Sequence, residues 1–271
     1  MAEWVMPGQF RTAFDRVTSN LRRWSSADWL LFWVVIPAIL LIIYALPQEI
    51  RDTYFVLNTA HLQMVQTIFL SSYTHSQLFP HLLWNLAFYF VVLAMIFAFE
   101  DNRRRFRIMA GWAFLAVPIV SSVLTILFWG FLGRTTTGQG FSAVVGALLA
   151  YAMFIFVVWA LQDKLPVFDH PEEFAGDRIR FLVLQVLLAI MLVLIMVMGL
   201  MTGIFNDAGG SVTNGIAHFG GYVSSLVILF LFDERTARRR YFDAILGSSI
   251  AVGIATYLYY LVLIVRLVRG S

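Results

Sequence analysis

The sequence predicts an all-α, polytopic membrane protein, and three observations carry that prediction. Hydrophobic residues make up 60% of the 271-residue chain and charged ones only 13%, about half the share usual for soluble domains. Seven stretches are apolar over roughly the 20 residues that a membrane-crossing helix needs. The Lys and Arg residues alternate in density from loop to loop, as they do when loops lie alternately on the two sides of a bilayer.

In chain order, residues 1–28 form a polar, basic tail with no signal-peptide pattern. Phe10, Phe14, Val17, Leu21 and Trp24 recur at steps of four and three, with Arg11, Arg22 and Arg23 off that stripe. The tail therefore reads as an amphipathic helix on the inner leaflet, with a frayed tail as the alternative. The spans follow as Trp29–Leu46, His81–Phe99, Phe106–Leu132, Ser142–Leu161, Phe181–Ile204, Ile216–Phe232 and Ala244–Val268. Residues 29–233 hold a six-helix core, and residues 234–271 a basic linker and a seventh helix. The long connection from Pro47 to Pro80 is not very polar, so "HLQMVQTIFLSSY" is expected at the outer interface or packed on the bundle.

Arg11, Arg16, Arg22 and Arg23 precede the first span. Arg103, Arg104, Arg105 and Arg107 lie between or beside the second and third, Lys164, Arg178 and Arg180 between the fourth and fifth, and Arg235, Arg238, Arg239 and Arg240 before the seventh. Arg51, Arg134, Arg266 and Arg269 fall on the other side. The positive-inside rule makes the N-terminus cytoplasmic and the chain an integral, multi-pass membrane protein in contact with the lipid bilayer. Arg266 and Arg269 leave the seventh helix the least secure element. Basic residues beside apolar spans are a topology signal, so no nucleic-acid partner is expected. The absence of Cys excludes disulfides and thiolate metal sites.

Polar groups inside apolar spans are functional candidates, because burying them in lipid is costly. His81 opens the second span, Asn85 lies one turn below it, Ser142 opens the fourth, and His218 stands in the first turn of the sixth. All three spans run inward, so these four residues share a depth just below the outer surface. Gly146 and Ala150 follow Ser142 at steps of four, and Gly221 and Ser225 follow His218; both are small-residue stripes that let helices approach closely. If the stripes face each other, Ser142 Oγ reaches a ring nitrogen of His218, and a serine beside a base can act as a nucleophile. Against this, a serine at a helix entrance is most often a cap, and a lone membrane histidine commonly bonds a neighbouring helix or water. His61, His75 and His170 fall in loops and read as interfacial or solvated. His75, His81 and His218 would make a zinc site without a carboxylate. The "HPEEF" string at His170 has the wrong spacing for a zinc protease, and no pair of spans carries an aspartate each.

Three segments carry a family resemblance. "HLLWN" (His81 to Asn85), "GFSA" (Gly140 to Ala143) and "AHFGG" (Ala217 to Gly221) look like the signatures of rhomboid intramembrane serine proteases, in the same order and on the same helices, over about Trp29 to Asp233. The seventh helix resembles the added C-terminal span of the six-plus-one form. The resemblance implies a Ser142–His218 dyad without an acidic member, His81 and Asn85 as an oxyanion-stabilising pair, and Gly140 as room for the substrate backbone. It also implies single-span transmembrane proteins as substrates, an active site opening to the extracytoplasmic side, and neither metal nor organic cofactor. The sequence departs from the family pattern in Ala143 after the serine, in Gly146 where many members place a tyrosine against the histidine, in Ser225, and in a first external loop without tryptophan. A catalytically inactive, client-binding relative and a small-solute transporter are the alternatives. The oligomeric state is not legible.

Overall fold

The computed structural model describes residues 7–162 except 63, residues 212–232, and part of 247–266. The expected span Phe181–Ile204 and the loops on either side of it lie outside the described residues. Of the seventh span, the described residues between 247 and 266 are helical. Among the described residues the chain is mostly helical, and three helices are long and apolar enough to cross a membrane: α2 (Ser26–Ala45), α6 (Arg103–Phe131) and the segment Gly215–Phe232 within α8. The remaining elements are α1 (Pro7–Arg23), α3 (Gln48–Tyr54), β1 (Leu57–Asn58), the turn α4 (Thr67–Leu70), α5 (Leu83–Phe99), β2 (Thr137–Gly138), α7 (Ser142–Gln162) and α8 itself (Val212–Phe232). β1 and β2 pair antiparallel, Leu57 opposite Gly138 and Asn58 opposite Thr137. This small ribbon ties the loop before α5 to the loop before α7.

The centre of the bundle is α7. It is apolar on every face, as a helix with neighbours all round should be. It packs against α5 and α8, and α8 in turn packs against α6. Val144, Ala147, Leu148, Ala150 and Tyr151 are all buried. Large apolar side chains point outward elsewhere: Trp84, Phe88 and Val91 on α5, and Leu115, Leu127 and Phe131 on α6. An apolar exterior around an apolar centre suits hydrocarbon surroundings.

Prolines shape two of the long helices. Widened, π-type turns at Leu31–Val35 and Trp112–Ala116 come directly before Pro37 and Pro118. A proline has no N–H to give to the preceding turn, so a carbonyl there is freed. Tyrosines from elsewhere take these carbonyls: Tyr89 Oη donates to the Phe32 carbonyl at 2.6 Å, and Tyr73 Oη donates to that of Phe114. A third widened turn, Leu78–Leu82, contains Phe79 in an extended conformation (φ −115°, ψ 133°). That conformation follows from Pro80, which disfavours the helical region for the residue before it. The chain therefore bends at the entrance to α5, beside His81.

At the end of the bundle away from Ser142, Glu100 stands at the C-cap of α5, its N–H donating to the Ile96 carbonyl and its carboxylate fully buried (0% exposed). It accepts from Arg105 Nε (2.9 Å) and Nη2 (2.7 Å), from the Asn102 backbone N–H (2.6 Å), and from Tyr151 Oη. Asn102 caps α6 through the N–H groups of Arg104 and Arg105. One carboxylate thus fastens α5, α6 and α7, and every charge in the cluster is hydrogen-bonded, which burial demands.

The tail expected to be amphipathic is helical over Pro7–Arg23, with Ser19, Arg22 and Arg23 exposed. Its last turn docks on α5: Asn20 Nδ2 donates to the Ala98 carbonyl (3.0 Å) and Trp24 Nε1 to that of Phe97 (2.8 Å). These are last-turn carbonyls with no partner inside their own helix. The Trp24 ring stacks on Phe97 with centroids 4.3 Å apart.

Candidate active site

The α7–α8 contact sets the site. A Cβ built on Gly221 would stand 2.3 Å from the Ala143 carbonyl oxygen, and one on Gly146 would stand 3.2 Å from that of His218. At Gly221 only glycine permits so close an approach, at Gly146 a side chain would be tight, and small residues are what membrane helices use for such contacts. The two stripes face each other, and Ser225, one turn beyond Gly221, is fully buried, its hydroxyl without a partner among the described residues. Gly146 seats the backbone of His218 directly on α7. Among the described residues no aromatic ring stacks on the imidazole, so the seat and one hydrogen bond orient it.

That hydrogen bond joins Ser142 Oγ to His218 Nε2. Ser142 is the first residue of α7; the Phe141 carbonyl accepts the first helical bond, from Val145 N–H at 3.1 Å. The serine hydroxyl is therefore spent on the histidine of the neighbouring helix, and the free N–H groups of the α7 start face the same entrance. The helix carrying His218 begins at Val212, four residues earlier than expected. His218 thus stands in the second turn of α8 and not the first, because the polar residues Thr213 and Asn214 hide a helical turn from a hydropathy reading.

Gly140 approaches Ser142 from the loop. Its φ of +132° is reserved for glycine, and its N–H donates to the Ser71 carbonyl at 2.9 Å. A Cβ there would lie 3.6 Å from Ser142 Oγ and 3.7 Å from His81 Nε2. Gly140 thus keeps clear the space shared by the serine and His81. Both His81 and Asn85 are half-buried.

His75 differs from expectation. It is neither interfacial nor solvated but 1% exposed. Its Nε2 accepts from Asn85 Nδ2 at 2.9 Å and from the Phe141 N–H at 3.3 Å. Its ring meets that of His81 edge-on, with centroids 5.1 Å apart. Burial, together with the adjacent His81, pushes its pKa down to about 3, so it stays neutral. Its carbonyl accepts from Arg51 Nη1 at 2.7 Å. The loop that carries it is apolar and folds inward, which is why a histidine in that loop ends up buried. His61 is exposed, and His170 lies outside the described residues.

A cavity of about 20 Å³, room for about one water molecule, opens beside Ser142 and is lined by hydroxyls from Ser71, Ser72, Ser121, Ser122 and Thr125. Ser71 Oγ and Ser122 Oγ stand 3.3 Å apart. Ser121, Ser122 and Thr125 occupy adjoining positions of an otherwise apolar stretch, the one signal in the sequence that points to this cavity. Among the described residues, no group of three His, Cys, Asp or Glu side chains is placed to hold a metal ion.

The chain matches no protein-family model, and neither curated proteins nor solved structures give a match.

Proposed function

We propose that this protein is an intramembrane serine endopeptidase of the rhomboid type, built on a six-helix core with an added seventh helix, that cuts single-span membrane proteins near the outer face of the bilayer. The hydrogen bond between Ser142 Oγ and His218 Nε2, at the entrance of an apolar helix, carries this reading. In the tautomer in which Ser142 donates, Nε2 holds a lone pair, the state a general base requires.

In the proposed reaction, Ser142 Oγ attacks the scissile carbonyl carbon as its proton passes to His218 Nε2. The tetrahedral oxyanion is stabilised by the Ser142 N–H and the positive end of α7, with His81 and Asn85 beside it. The intermediate collapses to an acyl-serine ester as His218 returns the proton to the departing amine. A water then attacks the ester, giving its proton to His218, and the second collapse frees the acid and restores Ser142. The hydroxyl-lined cavity beside Ser142 supports a supply of that water. Gly140 supports access for an extended backbone, since a helical substrate hides its carbonyls and must unwind locally.

The test is covalent labelling of purified protein with a fluorophosphonate, compared across wild type, Ser142→Ala and His218→Ala, alongside cleavage of a model single-span substrate. Labelling and cleavage in the wild type only are expected. Label that persists in Ser142→Ala, or an unlabelled and inactive wild type, would sink the proposal.

A further inference from the structure

We propose that His75 is a positioning residue that aligns both flanks of the oxyanion pocket, through Asn85 on one side and the Phe141–Ser142 backbone on the other. The inference rests on the protease reading of Ser142 and His218.

Hydrogen-bond polarity fixes the arrangement. The Phe141 N–H can only donate, so His75 Nε2 must accept and its proton sits on Nδ1. A second partner at the same lone pair must also donate, which turns the amide nitrogen of Asn85 toward His75. One amide N–H is thereby committed and the other is left in a fixed plane. The same nitrogen holds the Phe141 N–H, immediately before the Ser142 N–H that would face an oxyanion. One ring atom thus sets the orientation of two donors belonging to different helices, α5 and α7.

The ring is itself held. His75 is 1% exposed, Arg51 grips its carbonyl at 2.7 Å, and the Arg51 guanidinium lies 4.8 Å above the Tyr44 ring. Among the described residues, the groups facing it that carry or can carry charge are His81 at the ring edge and Arg51 at the carbonyl. Among the described residues its Nδ1 has no partner, an uncompensated polar atom whose cost is borne only if the other nitrogen is needed where it is. Donors that need no rearrangement during reaction are the ones that stabilise an oxyanion well.

The experiment uses the full chain in detergent or nanodiscs, with His75→Leu, His75→Gln and His75→Asn. Gln carries its carbonyl oxygen to about the place of Nε2, Asn reaches only as far as Nδ1, and Leu has no acceptor. Expected are a fall in kcat of roughly 10- to 100-fold for His75→Leu and His75→Asn, with KM within about 2-fold, and recovery by His75→Gln to within about 5-fold. In an Asn85→Ala background, His75→Leu should cost much less than it does alone, because the two act as a unit. If His75→Leu does not fold, the Gln and Asn pair decides. Equal kcat in those two, full activity in His75→Leu, or a loss independent of Asn85 overturns the proposal. Wild-type label at Ser142 accompanying such a result leaves the protease reading intact; an unlabelled wild type overturns both.

Discussion

Replacing Gly221 by alanine tests the geometry of the site with one methyl group. The new Cβ would stand 2.3 Å from the Ala143 carbonyl oxygen, 3.1 Å from its carbon and 3.3 Å from Val117 Cγ1. A carbon–oxygen contact settles near 3.3 Å or beyond, so α8 must retreat from α7 by about 1 Å. Both obstacles at short range are backbone atoms, and no side-chain rotation relieves them. Ser142 adjoins Ala143, and His218 lies one turn before Gly221, so the retreat stretches their hydrogen bond by a similar amount. A misplacement of about 1 Å costs roughly 100-fold in rate, equivalent to about 2.7 kcal/mol of barrier, and overpacking costs about 1–3 kcal/mol of stability. Gly146→Ala is the control: its Cβ would lie 3.2 Å from the His218 oxygen, a shortfall of about a tenth of an ångström, and should slow labelling less than about 10-fold. The assay is the second-order rate of fluorophosphonate labelling, with thermal unfolding measured in the same detergent. A Gly221→Ala protein that labels within about 3-fold of wild type, or a Gly146→Ala protein equally impaired, would refute the argument.

At the far end of the bundle, Glu100→Ala removes the buried carboxylate that Arg105, Asn102 and Tyr151 all bond and should destabilise the protein by about 3–5 kcal/mol, whereas Tyr151→Phe removes one hydrogen bond to a charge and should cost about 1–3 kcal/mol; equilibrium unfolding separates the two. Trp24→Phe keeps a ring on Phe97 but deletes the bond to its carbonyl, costing about 1 kcal/mol, and limited proteolysis should show the α1 helix detaching more readily. His75 has its pKa held at about 3 in the fold, against 6.5 as the ordinary value. Between those values the unfolded chain takes up a proton that the folded one refuses, so stability is lost as pH falls below 6.5. Between pH 7 and pH 5 this one group accounts for about 2 kcal/mol, and a thermal-unfolding series in which His75→Gln shows the same pH slope as wild type would contradict it.

Much of the architecture was legible because it is local. Apolar helices follow from composition, and α2, α5, α6, α7 and α8 lie where hydropathy puts them; of these, α2, α6 and part of α8 are long and apolar enough to cross a membrane. Boundaries drift where polar residues extend a helix, as at Val212. Gly146 and Gly221 announced a close contact because glycine spaced along an apolar helix has few other uses. The proline-widened turns were not anticipated, since their freed carbonyls are stable only when Tyr89 and Tyr73 arrive from distant segments. The burial of His75 was not legible either. An apolar loop between two spans reads equally as interfacial or as packed, and only its contacts decide.

By itself the sequence determined which residues share a helix face and which faces can touch, because both follow from the helical repeat within a single segment. Tertiary structure alone decided that Ser142 meets His218, 76 residues on, and that His75 clamps Phe141, 66 residues on. Those pairings depend on how far each helix slides and turns against its neighbour. The approach of Gly221 to Ala143 and the inward fold of the His75 loop set that register, and no local periodicity encodes it.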